Sequence, residues 1–162
     1  MSELTVTSAD AAAFCTFRAD ELLFGIDVVL LREISTNTTI TPVPPAPAAL
    51  RGLANLRSRV HLVIDLRPLL GLPVANCTAE SRLIILKPAL AEDLGLLVDR
   101  GGDIVRVPRE QIESLDSASL GAQETSASAA ADFVVGVAKL DRELMMIIDA
   151  KRLVHAISNA MR

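Results

Sequence analysis

The chain has 162 residues, 51% hydrophobic and 22% charged, with a formal net charge of −4 at pH 7. That is material for one ordinary domain or two small lobes; it argues against disorder, and the acidic balance argues against a dedicated nucleic-acid binder. With four Phe, no Tyr and no Trp, the core has to be built from Leu, Ile and Val.

Met1–Ala11 is small and polar and reads as a loose tail without the hydrophobic run of a signal peptide. No apolar stretch approaches the ~18 residues of a membrane helix, so a cytoplasmic chain with no membrane insertion is expected. Ala13–Arg18 reads as a strand, Ala19-Asp20-Glu21 as a turn and Leu22–Ile26 as the hairpin partner. Asp27 suits the cap of a short helical turn over Val28–Leu31, and Arg32–Ile34 returns to strand. Thr41–Pro47 carries four prolines, which remove backbone donors and leave a rigid, extended connector. Ala48–Arg51 reads as one helical turn before Gly52.

Arg51–Leu72 is the most structured stretch. A short strand (Leu53–Leu56) leads into a basic turn, Arg57-Ser58-Arg59, and then into a β-branched strand, Val60–Ile64. By strand parity Val60, Leu62 and Ile64 share one face, and His61, Val63 and Asp65 the other. Asp65 is placed to cap a helix over Leu66–Leu70. Pro68 falls in its first turn and Gly71 at its stop. Further strands are expected over Arg82–Lys87, Gly95–Val98, Ile104–Val107, Phe133–Leu140 and Glu143–Ile148, with Gly101-Gly102 as a turn. Ser114–Ala131, rich in Ser and Ala, reads as a long loop. From Asp149 a helix runs to about Asn159, with Leu153, Val154, Ile157 and Met161 on one side.

The sequence repeats itself. Aligning Gly52 with Gly136, an offset of 84, places Leu56 on Leu140, Asp65 on Asp149 and Leu69-Leu70 on Leu153-Val154 without a gap. At an offset of 70, Gly25 falls on Gly95 and Ile34 on Ile104. A duplicated unit of about five strands suits a pair of small closed barrels. Neither half is large enough for a generous core of its own, so the two are expected to share an apolar interface.

Catalytic patterns are missing. The two histidines, His61 and His155, have no nucleophile or metal-ligand partners at useful spacing, and neither a nucleophile elbow nor a phosphate loop is present. Cys15 and Cys77 lie far apart, lack a C-x-x-C motif and read as buried reduced thiols. No cofactor and no metal are indicated. The distinctive feature is charge: Arg51, Arg57, Arg59 and Arg67 share a stretch with one acid, Asp65. Arg51, Arg57 and Arg59 are read as a basic patch for an acidic protein partner, because the guanidinium fork makes paired hydrogen bonds to carboxylates. The competing reading is a small enzyme that holds an anionic substrate at the Arg57 turn, with His61 and Asp65 on one strand face.

Phe24–Ile34, Ile40–Pro44 with Arg51–Leu72, and Leu94–Pro108 with Val135–Leu153 resemble the CheW-like adaptor proteins of bacterial chemosensory arrays. Asn55-Leu56-Arg57, Val63-Ile64-Asp65-Leu66-Arg67 and Gly136-Val137-Ala138-Lys139-Leu140-Asp141 are the most specific pieces, and the likeness covers about Ala13 to Ile157. It implies an all-β fold of two five-stranded SH3-like β-barrel lobes packed together, with short helices and a C-terminal helix. One domain over residues 12–157 is expected, its lobes near 12–75 and 80–157 with interleaving allowed, and residues 158–162 as its C-terminal end.

The resemblance also implies no enzyme activity. The role would be that of a scaffold joining chemoreceptor tips to the regulatory domain of a CheA-type histidine kinase, at receptor arrays in the cytoplasm. An adaptor of the same fold serving pili or a second messenger is the alternative. Carried over by position, Leu31, Gly52 and Leu53 would line a receptor groove between the lobes, with Glu33 and Arg57 as an ion pair beside it. Ser58 stands where the family usually has glycine. Both chain ends read as natural, which argues against a fragment of a kinase or of a receiver-bearing adaptor.

Overall fold

A computed structural model describes residues 11–36, 38–44, 46–115 and 132–161. Eleven strands are described: β1 (Ala11–Ala19), β2 (Leu22–Asp27), β3 (Leu31–Thr36), β4 (Leu50–Leu56), β5 (Arg59–Asp65), β6 (Arg82–Leu86), β7 (Leu94–Val98), β8 (Arg100–Pro108), β9 (Ile112–Ser114), β10 (Val134–Lys139) and β11 (Leu144–Ile148). Helix α1 (Leu66–Leu69) follows β5 and α2 (Ala150–Ala160) follows β11, with single 3-10 turns at Val28–Leu30 and Arg109–Gln111. Asp65 caps α1 by accepting from the Arg67 amide, and Asp149 caps α2 by accepting from the Lys151 and Arg152 amides. The loop expected over Ser114–Ala131 lies outside the described residues except for Ser114 and Leu115, and so does the N-terminal tail except for Ala11.

The strands form two SH3-like lobes. One sheet has the order β8-β1-β2-β11-β10-β9 and the other β3-β6-β7-β5-β4. The second closes on itself where Thr41, in the connector after β3, exchanges two backbone hydrogen bonds with Leu53 of β4, at 2.7 and 2.8 Å. In the first, β9 follows β8 and pairs with β10, so that Val137 faces Glu113. The two closures correspond, since Leu53 and Val137 are repeat partners. We call the two units the central barrel (β3–β7) and the terminal barrel (β1, β2 and β8–β11).

Repeat and barrel do not coincide. The sequence duplicates β1–β5 with α1 as β6–β11 with α2, yet each barrel takes its first two strands from the other repeat. β2 pairs in parallel with β11, and β7 in parallel with β5. The expected split near residues 75–80 therefore falls inside the central barrel, and the chain crosses between barrels at residues 28–30 and at Asp99. Parallel neighbours cannot be joined by a tight turn, so this exchange is what supplies the connection.

The correspondence extends to irregularities. A bulge lies between Leu50 and Gly52 against β5, and another between Val134 and Gly136 against β11. Gly52 faces Val63 and Gly136 faces Ile147, again repeat partners. Gly52 has φ +150, and a Cβ there would run into the Thr41 carbonyl, so the closure of the central barrel requires glycine.

Three apolar clusters result. Ala54, Val63, Leu83, Ile85 and Leu97 fill the central barrel, and Phe14, Leu23, Val107, Ala138, Met145 and Ile147 the terminal one. The largest cluster draws on both, among them Phe17, Phe24 and Ile26 with Ile64, Leu86 and Leu96, and α2 seals it with Leu153 and Ile157. Phe17 and Phe24 stack at 5.6 Å. The expected shared interface is this cluster, and it welds the barrels into one domain.

Three local expectations are corrected. Residues 48 and 49 form a turn rather than helix, closed by the Leu50 amide on the Pro47 carbonyl, because Asp65 donates its amide to Ala49 and draws the chain alongside β5. Gly101-Gly102 lies within β8, where the register shifts between Thr16 and Phe17 and Gly101 packs against Phe17. Cys15 is buried but Cys77 is exposed, because it sits in the loop after α1 and not in a strand.

Candidate functional site

The turn between β4 and β5 has two residues, Arg57 at φ 54 and Ser58 at φ 67, closed by the pairing of Leu56 with Arg59. Positive φ at both central positions is the tight hairpin geometry that follows strand twist, and it favours Asn or Gly. Here neither residue is one of those, so the turn holds strain. It directs the Arg57 side chain back across the barrel seam to β3. There Arg57 Nε donates to Glu33 Oε2 at 2.9 Å and Nη2 donates to Glu33 Oε1 at 3.0 Å. Glu33 sits at the bulge of β3, two residues after Leu31 and opposite Ile85.

The hydrogen bonds from Arg57 hold the Glu33 carboxyl below the usual carboxylate range, and Glu33 in turn raises the Arg57 guanidinium. Arg57 remains 70% exposed. The pair is thus a feature of the surface rather than part of the core. The equivalent turn of the terminal barrel holds Asp141, Arg142 and Glu143, and the counterpart of Glu33 is Asp103. That barrel cannot make the same pair.

Of the positions carried over, Gly52 and Leu53 lie together on β4, with Leu53 half-buried between Leu62 and Thr41. Glu33 and Arg57 are joined directly. Leu31 begins β3, pairs with Leu86 and is partly buried against the shared core.

The three arginines do not form a patch of free positive charge. Arg51 turns inward to Asp65, which is 1% exposed, and also donates to the Ala75 carbonyl. Arg59 makes a paired contact with Asp93, at 2.9 and 2.8 Å, which depresses the Asp93 carboxyl and raises Arg59. Arg67 reaches Asp99 at 2.6 Å. Each acid comes from a distant part of the chain except Asp65, so sequence-local charge counting missed Asp93 and Asp99; no spacing signal marks them. The arginines are local neutralisers, with Arg57 and Arg59 still exposed and Arg51 structural.

The enzyme reading loses its two residues as well. His61 is buried, its Nδ1 against the Arg59 carbonyl and its Nε2 3.9 Å from Asp93. Asp65 is committed to Arg51 and to the start of α1. The two share a face, as parity predicts, but that face is barrel interior and both polar ends are occupied.

The CheW-like domain family matches residues 13–158. A probable chemotaxis protein CheW of Rhizobium etli is 31% identical over 137 residues, covering 85% of this chain and 83% of the relative. The chemotaxis protein CheW of Bacillus subtilis is 34% identical over 128 residues, covering 78% and 76%. Among solved structures, the scaffolding protein TtCheW from Thermoanaerobacter tengcongensis superposes with a TM-score of 0.71 at 27% identity, covering 85% of this chain and 88% of that one. With the repeat, the exchanged barrels and a match over nearly its full length, this chain belongs to the CheW-like domain family.

Proposed function

We propose that the chain is a non-enzymatic adaptor that couples the cytoplasmic tips of chemoreceptors to the regulatory domain of a CheA-type histidine kinase, at receptor arrays in the cytoplasm. The family and its chemotaxis relatives support the role, and the observation that carries the site is the Glu33–Arg57 pair. It is exposed, held in fixed geometry by two hydrogen bonds, and confined to one barrel. A bidentate pair at an exposed seam adds little stability. Its value is to set the shape of the surface that Leu31, Gly52 and Leu53 border, which we assign to the receptor. Arg59, exposed beside the same turn, completes the partner surface; Arg51 is left out because it faces inward.

The test is reconstitution of the purified chain with a receptor tip and a CheA-type kinase. The proposal expects a ternary complex and receptor-dependent change in kinase autophosphorylation. A folded chain that binds neither partner rules the reading out.

A further inference from the structure

Between β7 and β8 the chain passes from the central to the terminal barrel through one residue, Asp99. Its carboxylate binds both barrels. Oδ2 accepts from the Asp20 amide, in the β1–β2 turn of the terminal barrel, at 2.6 Å, and from Arg67 Nη1, in α1 of the central barrel, at 2.6 Å. The Asp99 amide donates to the Arg18 carbonyl at 3.0 Å. Asp20 has φ 58, a left-handed turn residue whose amide is aimed at that oxygen. Arg67 is fixed in turn by its Nε on the Pro73 carbonyl at 2.7 Å, and its own amide is bonded to Asp65. Asp65 also holds Arg51, so the chain of contacts runs from the central barrel interior through α1 to the turn of the other barrel.

We propose that Asp99 is an interlobe latch. The apolar cluster holds the barrels together, but apolar burial is non-directional and does not by itself specify the angle at the crossing. Hydrogen bonds from a single carboxylate to a backbone amide on one barrel and a guanidinium on the other are directional and charge-assisted. They fix the angle at the crossing. The latch does not depend on the adaptor reading.

The test uses the whole chain without partners. Cys77→Ser with Val60→Cys and Ile104→Cys places spin labels on exposed sites of the central and terminal barrels, 58% and 56% accessible. Asp99→Ala is expected to broaden the interlabel distance distribution and to speed exchange of the Asp20 amide about tenfold, the loss of one charge-assisted hydrogen bond. Arg67→Gln removes one arm only: it is expected to broaden the distribution while leaving Asp20 protected. Should Asp99→Ala not fold, Arg67→Gln decides alone. A distribution as narrow as that of the parent in the folded variants, even with lower global stability, overturns the latch. Failure of receptor binding in the parent chain bears only on the adaptor reading.

Discussion

Arg57 grips Glu33 through two parallel N–H···O contacts of 2.9 and 3.0 Å, and in doing so joins the β4–β5 turn to β3 across the seam where the central barrel closes. The backbone closes the same seam through Thr41 and Leu53. Shape at this surface is therefore fixed twice, once by main chain and once by side chain.

The turn that presents Arg57 is strained at Ser58, with φ 67. Ser58→Gly removes a left-handed penalty of about 1–2 kcal/mol and gives back part of it as unfolded-state entropy. A net gain of about 0.5–1 kcal/mol is expected, read as a higher urea midpoint with an unchanged slope.

Gly52 and Gly136 are repeat partners under different stress. A Cβ on Gly52 meets the Thr41 carbonyl at positive φ, whereas one on Gly136 comes to 3.0 Å from the Glu113 carbonyl, a contact that a small shift relieves. Gly52→Ala should cost about 2 kcal/mol or more, and Gly136→Ala distinctly less. Equal losses in thermal or urea unfolding would contradict this.

The pH dependence has a definite sign. Glu33 and Asp93 are depressed by Arg57 and Arg59, so their folded-state values lie below the unfolded ones. The stabilisation from each pair is present above the ordinary carboxylate range of about 4 and is lost as pH falls through the folded-state value. The stability gap between the parent and an Arg57→Gln, Arg59→Gln variant should be constant from pH 7 to 5 and shrink below pH 4. A gap that widens on acidification is the opposite of this sign.

Burial, with Asp103 nearby, pushes the Cys15 thiol up to about 11, while Cys77 is exposed. At pH 8 the native chain should give one equivalent with a thiol reagent, and a second only in denaturant. Two rapid equivalents would contradict the burial of Cys15 in β1.

What was legible in the sequence was local. The Asp65 and Asp149 caps, the strands before them and the matching of Gly52 with Gly136 are written in neighbouring residues, so aligning the repeat finds them, though not the bulges that lie there. The exchange of β2 and β7 between barrels is not. Both repeats offer equally apolar strands there, so nothing in neighbouring residues says that β2 will lie in parallel beside β11 and β7 beside β5. The site shows the same division. The Glu33–Arg57 pair was reachable only through family resemblance. The acids that neutralise Arg59 and Arg67 lie 34 and 32 positions away, so the charge cluster read as a free patch.

The direct test of the central claim is receptor control of kinase activity in a reconstituted array, with the seam pair reversed. Arg57→Glu is expected to fold and to lose coupling, because two carboxylates then face each other at Glu33. Adding Glu33→Arg rebuilds the bridge with its ends exchanged, and coupling should return in part. Full coupling in folded Arg57→Glu would contradict the assignment of this surface, and no recovery in the double variant would contradict the claim that the pair acts by holding shape.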